Sequence, residues 1–132
     1  MKNIVLDTWP LIAFFEEQPA ASKVETILQE SRESGQNLIL SLVNAGEVWY
    51  TVARAHSAED ADMVIEEIHQ LRIRMEPISW DLTKTAARFK VGGGISYADC
   101  FAAALSKSKN APLVTGDREF EQLENEIEII WV

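Results

Sequence analysis

Asn3-Ile4-Val5-Leu6-Asp7-Thr8 places three consecutive aliphatic residues directly before a carboxylate. A short apolar run of this kind, followed by the helical pattern of residues 11–15, predicts a buried parallel strand that leads into a helix. Ligands of open α/β sheets bind outside the carboxyl ends of such strands. The side chain of Asp7 is therefore expected to lie where α/β proteins usually carry out chemistry.

The rest of the chain alternates short apolar runs with helical patterns. The further strands are predicted at residues 38–40, 75–78, 112–115 and 127–130. Four of the predicted helices follow a serine that can serve as N-cap, namely Ser41, Ser57, Ser79 and Ser96. Strands that alternate with helices form a parallel sheet covered on both faces by right-handed crossovers. The pattern predicts an α/β fold with a central parallel sheet of four or five strands.

Size and composition indicate a single domain. The chain has 132 residues, 47% of them hydrophobic, and no linker-like stretch, so we expect residues 1–132 to form one domain. Its apolar runs are shorter than a membrane span, and its N-terminal sequence lacks a signal-peptide pattern. The single cysteine, Cys100, cannot form an internal disulfide. These features favour a cytoplasmic protein with no membrane partner.

The charge balance limits the ways in which this chain can bind nucleic acid. It carries 21 acidic and 12 basic side chains, a net charge of −9. Such a charge disfavours a broad basic surface, because each phosphate contact would have to overcome a repulsive background. Any binding of nucleic acid is therefore expected to depend on a local site.

Four acids stand where predicted elements end or begin: Asp7, Glu47, Asp99 and Asp117. Asp7 and Asp117 each follow a strand, Glu47 lies in a helix that follows a strand, and Asp99 lies in the first turn of a helix. Two carboxylates ~4 Å apart repel by roughly 4 kcal/mol at an effective dielectric of ~20, so an ionised cluster needs a cation. Ligands that are all oxygen favour Mg2+ or Mn2+.

Each acid also has a purely structural interpretation. An Asp at a strand end commonly caps the next helix, and Asp99 stands three residues after Ser96, which is the spacing of a capping box. For Asp7 alone, the cap and the functional role are about equally well supported. The combination of four acids favours a site.

Four segments carry these acids: Ile4-Val5-Leu6-Asp7-Thr8, Asn44-Ala45-Gly46-Glu47-Val48, Ser96-Tyr97-Ala98-Asp99-Cys100-Phe101-Ala102-Ala103-Ala104 and Val114-Thr115-Gly116-Asp117-Arg118-Glu119-Phe120. In this order, and at these strand ends and helix starts, they resemble the four signatures of PIN domains, especially the VapC-type toxins of prokaryotic toxin–antitoxin modules. The resemblance covers the whole chain. It implies a PIN-like α/β/α sandwich.

The resemblance also implies a metal-dependent endoribonuclease. In PIN domains the acids that match Asp7, Glu47, Asp99 and Asp117 surround one or two Mg2+ or Mn2+ ions, and the residue that matches Thr115 forms a hydrogen bond within the site. A metal ion makes hydroxide available near neutral pH and screens the phosphate from the carboxylates. In-line attack on phosphorus would leave 5'-phosphate and 3'-hydroxyl ends.

We assign different roles to these acids. Asp7 and Asp99 are predicted as direct metal ligands, and Glu47 and Asp117 are predicted to hold metal-bound waters, one of them as a candidate general base. Two residues are predicted to support Glu47 from the same helix, Asn44 and Arg54. Arg54 has two interpretations, a phosphate contact and a surface salt bridge.

The resemblance implies two protein partners. VapC-like toxins are generally homodimers, and a small VapB-like antitoxin neutralises them by wrapping its C-terminal segment around the toxin, which can place an Arg in the acidic site. A basic segment would suit this acidic chain. For the RNA substrate we predict a local basic rim from Lys84, Arg88 and Lys90, or from Lys107 and Lys109. All five are also interpretable as ordinary solvated side chains.

Three residues depart from the family pattern. Trp9 replaces a small or hydroxylated residue, and it either lines a substrate or partner groove or packs against the following helix. Glu119 stands where many relatives have an Asp, so we assign it no ligand role. Cys100 replaces a frequent Ala and is interpreted as a small core residue, because no motif links a histidine to it.

Other α/β proteins share parts of this pattern. A phosphatase of the haloacid dehalogenase type needs a second Asp where Trp9 stands, and a receiver domain needs a Lys where the chain ends in Trp131-Val132. Both classes are disfavoured. The remaining alternative is a PIN-fold module that binds RNA or protein without cutting it, and the presence of all four acids argues against that alternative.

Overall fold

A computed structural model describes residues 2–132, and in this part of the chain a five-stranded sheet is surrounded by six α-helices and one 3-10 helix. The strands are β1 (Asn3–Leu6), β2 (Asn37–Ser41), β3 (Ile73–Glu76), β4 (Leu113–Thr115) and β5 (Ile129–Trp131). The α-helices are α1 (Thr8–Phe15), α2 (Ala21–Ser34), α3 (Leu42–Ala55), α4 (Ala58–Gln70), α5 (Trp80–Val91) and α6 (Tyr97–Lys109). The 3-10 helix spans Arg118–Leu123.

All strand pairs are parallel, and the strand order is β3-β2-β1-β4-β5. The central strand is β1, in which Val5 is paired with Ile39 on one side and Leu113 on the other. The chain winds outward from β1 to β3 and then returns to the other side through β4 and β5. The order therefore reverses between β1 and β4, and open sheets bind ligands at such a reversal.

Helices pack on both faces of the sheet, as the α/β/α prediction requires. One core contains side chains of α5, α6 and the 3-10 helix, including Leu82, Leu105 and Phe120. The other contains side chains of the first four helices, including Leu11 and Ile68. Because each face of β1 is covered, Val5 and Leu6 are fully buried, and this explains the continuous apolar run at the start of the chain.

The four predicted serine caps are confirmed. The hydroxyl oxygens of Ser41, Ser57, Ser79 and Ser96 each accept a hydrogen bond from the backbone N–H three residues later. These bonds satisfy N–H groups that have no partner within their own helix. They also fix where α3 and α6 begin, and hence where the acids on these helices lie.

Two strands differ in position from their predictions. The third strand was expected at residues 75–78, but β3 spans Ile73–Glu76, because Pro77 has no N–H to donate to the ladder and Ile78 is exposed. The last strand was expected at residues 127–130, but β5 begins two residues later, and its Trp131 is paired with Thr115. Within residues 2–132, no helix is long and apolar enough to cross a membrane.

Candidate active site

The structure brings the four predicted acids together at the carboxyl edge of the sheet. Asp7 follows β1, Glu47 lies in the second turn of α3, Asp99 lies in the first turn of α6, and Asp117 follows β4. All four line one pocket of about 240 Å3. This pocket lies at the reversal in strand order, where an open α/β sheet is expected to bind its ligand.

Asp7 is the most buried of these acids, with 1% of its surface exposed. The hydroxyl of Thr115 donates a hydrogen bond of 2.8 Å to Asp7 Oδ2, and Thr115 Oγ1 accepts one of 3.1 Å from the backbone N–H of Asp117. Asp7 Oδ1 has no partner among residues 2–132. Although Asp7 stands at the N-cap position of α1, its side chain forms no capping hydrogen bond, so the structure does not support the cap interpretation.

Glu47 also keeps one carboxylate oxygen without a partner. Its Oε2 is 3.4 Å from the donating hydroxyl of Tyr50, whereas its Oε1 is buried and unpaired within the described part of the chain. A buried acceptor that lacks a partner costs about 1–3 kcal/mol. With Asp7 Oδ1, two buried oxygens in this pocket therefore need an external partner, and a hard divalent cation is the partner that oxygen ligands fit.

The electrostatics of the pocket support the same inference. Burial raises the pKa of Asp7 to about 7, and the negative charges of Glu47 and Asp117 contribute to the increase. Burial also raises the pKa of Asp99 to about 8, with further contributions from Asp7, Asp117 and Glu47. The cluster therefore holds protons at neutral pH unless a cation compensates its charge. These residues fit a magnesium or manganese ion.

Glu119 joins this cluster, although no ligand role was predicted for it. Carboxylate oxygens of Asp99, Asp117 and Glu119 all lie within 4.8 Å of one another. Asp117 Oδ1 accepts the backbone N–H of Glu119 at 3.0 Å, which turns the chain at the start of the 3-10 helix. The sequence signals for Glu119 were its position two residues after Asp117 and the Asp that many relatives have at this position.

Asn44 connects the helices that carry the site. Its side chain accepts a 2.6 Å hydrogen bond from Ser41 and donates to Thr8 Oγ1 at 3.2 Å and to the carbonyl oxygen of Ala98 at 3.1 Å. Thr8 and Ala98 are the chain neighbours of Asp7 and Asp99. Asn44, which is fully buried, thus holds α3, α1 and α6 in register around the acids.

The predicted support from Arg54 is indirect. Its guanidinium carbon lies 5.4 Å from the centre of the Tyr50 ring, and Tyr50 is the residue that donates to Glu47. Arg54 does not line the acidic pocket. Within residues 2–132 it forms no salt bridge either, so the surface ion-pair interpretation lacks support.

The basic residues predicted to form an RNA rim lie outside the acidic pocket. Lys84 and Arg88 are exposed on α5, and the amine of Lys90 donates to the carbonyl oxygen of Ile95 at 2.7 Å. Arg88 faces a separate groove of about 760 Å3, which Lys107 also lines. The amines of the alternative pair are engaged by acids, Lys107 by Glu126 at 3.5 Å and Lys109 by Glu76 at 3.0 Å.

Two of the three unusual residues have clear positions. Cys100 is fully buried, and burial raises the pKa of its thiol, as expected for a small core residue. His56 lies against Glu16 at 3.1 Å, which leaves it no role at the thiol. Trp9 lines the acidic pocket, so the groove interpretation of Trp9 agrees with the structure.

The fold is shared with chains of solved toxin–antitoxin complexes. A chain in VapBC2 from Rickettsia felis bound to a DNA fragment from their promoter is 18% identical, with a TM-score of 0.77 and coverage of 97% of both chains. A chain in DNA-bound VapBC from Salmonella typhimurium is 20% identical, with a TM-score of 0.76 and coverage of 98% of both.

A third similar structure is that of VapC20 from Mycobacterium tuberculosis, described as a sarcin–ricin loop cleaving toxin. It is 18% identical, with a TM-score of 0.72, and the match covers 90% of this chain and 93% of VapC20. At these identities the likeness shows a common fold. No curated protein sequence matches this chain.

The sequence itself matches the family model of the PIN domain over residues 4–126. The matched region contains all four strand-end and helix-start acids, from Asp7 to Asp117. It also includes β1 from Ile4 onward, the whole of β2, β3 and β4, and all six α-helices. This chain belongs to the PIN domain family.

Proposed function

We propose that this protein is a Mg2+- or Mn2+-dependent endoribonuclease and the toxin of a VapBC-type toxin–antitoxin module. It would hydrolyse RNA phosphodiester bonds and leave 5'-phosphate and 3'-hydroxyl ends. The observation that carries this proposal is the pair of buried, unpaired oxygens, Asp7 Oδ1 and Glu47 Oε1, in a pocket that Asp99 and Asp117 also line. Such oxygens fit a hydrated hard cation, which Asp7 Oδ1 would bind directly and Glu47 Oε1 would bind through a water, and the family membership fits a nuclease.

The acids would hold the cation, and their neighbours would hold the acids. A divalent cation held by these acids would lower the pKa of a coordinated water, so that the water can lose a proton near neutral pH, and would offset the negative charge of the phosphate. Thr115 orients Asp7 through Oδ2 and leaves Oδ1, which is unpaired within residues 2–132, available to a cation. Asn44 keeps the backbone beside Asp7 and Asp99 in place.

Of the two acids proposed to act through water, Glu47 is the better general base. Asp117 Oδ1 is already an acceptor for the backbone of Glu119, whereas Glu47 Oε1 is free of protein donors within residues 2–132. A general base must lie within hydrogen-bond reach of the proton that it removes. Tyr50, which donates to the other oxygen of Glu47, would fix the direction of Oε1.

The proposal includes partners. We infer a small, basic VapB-like antitoxin and a homodimeric toxin in the cytoplasm, because structures that share this fold include toxin–antitoxin complexes and the chain carries a net charge of −9. Opposite charge speeds encounter and orients a partner. The positive charge of a basic antitoxin would also compensate the negative charge of the acidic pocket, which no lysine or arginine within residues 2–132 lines.

The test is cleavage of total cellular RNA by the purified protein without its antitoxin, in Mg2+ or Mn2+ and in EDTA. We expect cuts that need the metal, carry 5'-phosphates, and fall by at least about 100-fold in Asp99→Asn, since a ligand charge is lost. Asp81→Asn, an exposed change on α5, is the matched control and should cut like wild type.

The same experiment distinguishes the alternative. If wild-type protein is folded and binds Mn2+ but leaves all RNA intact, the chain is the non-cutting PIN-fold module. If cutting persists in EDTA or in Asp99→Asn, the acids do not carry the chemistry.

A further inference from the structure

Trp9 is held at the edge of the acidic pocket by an unusually close contact. It stands two residues after Asp7, is half-buried, and lines the same pocket as the acids. A Cβ atom built on Gly116 would lie 2.3 Å from Trp9 Cζ3 and 2.5 Å from Cη2. Only glycine leaves room for this indole, which therefore lies directly against the backbone between Thr115 and Asp117.

Binding a cation requires oxygen ligands and does not explain why an aromatic ring lines the same pocket. The carboxylates can hold an ion, and Thr8 and Gln18 can form hydrogen bonds, but Trp9 and Ile12 are side chains with mainly apolar surface. These two side chains are three residues apart on α1 and so share one face of the helix. A ligand of this pocket is therefore expected to have an apolar face beside an anionic group.

A nucleotide has both features. Its phosphate needs the cation among the acids, and its base has a face that stacks on aromatic side chains with little sequence preference. Since no lysine or arginine of residues 2–132 lines the pocket, phosphate contacts with basic side chains cannot hold RNA there. Stacking would supply part of the binding free energy that these contacts usually provide.

We propose that Trp9, seated on Gly116, is the stacking surface for one nucleobase next to the scissile phosphate. This inference rests on the proposed ribonuclease function and adds a substrate-binding residue to it. RNA is favoured over a protein segment as the occupant, because the ring lies among the residues that must receive the scissile phosphate. The fixed position of the ring also reduces the ordering cost of stacking.

The test uses the RNA that the wild type cuts, made as an oligonucleotide of about 12 nucleotides across the cut, with and without the base on each side of the scissile bond. Trp9→Leu keeps an apolar side chain without the aromatic face, and Trp9→Phe keeps an aromatic face. Trp80→Leu is the matched control, because Trp80 is 70% exposed on α5 and lies outside the pocket.

Stacking on an aromatic side chain contributes roughly 5- to 150-fold in affinity. We expect Trp9→Leu to raise KM at least about fivefold with little change in kcat, which is the signature of lost substrate binding, while Trp9→Phe and Trp80→Leu stay near wild type. Of the two substrates that lack a base beside the scissile bond, one should raise the KM of wild type by a similar factor. The same substrate should cause no further increase in the KM of Trp9→Leu, because removing the base and removing the indole abolish the same contact.

Three results would overturn this inference while the nuclease function stands: Trp9→Leu behaves like Trp80→Leu, it lowers kcat alone, or the abasic penalty is equal in wild type and Trp9→Leu. If Trp9→Leu keeps its RNA kinetics and instead loses affinity for the antitoxin, Trp9 belongs to a protein interface. Wild-type protein that cuts no RNA would refute the proposed function itself.

Discussion

Asp7 is oriented, and its ionised form is favoured, by the side chain of Thr115. It is almost completely buried, which favours its neutral form, and the hydrogen bond from Thr115 acts against this by lowering its pKa. Sequence position predicted that Asp7 follows a buried strand, and its combination with the other three acids favoured a site, because the carboxyl ends of parallel strands lie at one edge of a sheet. It could not identify Glu119, whose carboxylate reaches Asp99 only through the turn that begins at Asp117.

The role of Thr115 can be tested with a nearly isosteric change. Thr115→Val removes the donor, so the pKa of Asp7 should rise further and protons should compete better with the metal ion. We expect the Mg2+ concentration for half-maximal cleavage at neutral pH to increase about tenfold. Thr115→Ser keeps the donor and should restore the wild-type value. Equal Mg2+ titration curves for Thr115→Val and wild type would refute this role.

At the scale of elements, the position of the acids depends on where α1, α3 and α6 begin. The serine caps and the carboxyl ends of β1 and β4 were predictable from local pattern, because a cap needs only a short side chain and an unpaired N–H. The position of β3 was not, because the apolar residues on both sides of Pro77 fit a strand equally well until pairing with β2 is considered. The hydrogen bonds of Asn44 could not be predicted from local pattern either, because they join segments that are distant in sequence.

Removing this network should cost stability as well as activity. Asn44→Ala removes three side-chain hydrogen bonds, to Ser41, Thr8 and Ala98, and we expect a loss of about 2–3 kcal/mol in the free energy of unfolding. Urea denaturation measures this loss. Asn125→Ala, at an exposed turn, is the matched control and should cost under about 0.5 kcal/mol. Similar losses in the two variants would contradict the role of Asn44.

At the scale of the whole molecule, the acidic pocket links folding to pH and metal. The pKa of Asp7 is about 7 in the folded protein, against an ordinary value of 3.8 for an aspartate in the unfolded chain, so the folded state binds the proton more tightly. This contribution to stability is fully present below about pH 4 and is lost as the pH rises through about 7. A bound divalent cation would remove the penalty at high pH, because it binds the ionised form.

The comparison of wild type with Asp7→Asn isolates this effect. In EDTA, the unfolding free energy of Asp7→Asn relative to wild type should increase by about 2 kcal/mol between about pH 5 and pH 8, since the amide does not titrate. Saturating Mg2+ should stabilise wild type more at the higher pH. Denaturant unfolding at both pH values provides the measurement. A difference that does not change with pH would show that Asp7 titrates normally.

The strand order has a consequence for unfinished chains. Asp7 lies near one end of the sequence, whereas Thr115 and Asp117 lie near the other, and they meet only when β4 is added beside β1. A nascent or proteolysed chain that stops before Leu113 lacks β4, and with it Thr115 and Asp117. The backbone groups of β1 that would pair with β4 then remain exposed at an open sheet edge. Partial synthesis would thus leave an incomplete set of carboxylates, so a cell would meet the full acidic pocket only after the last strands had been translated.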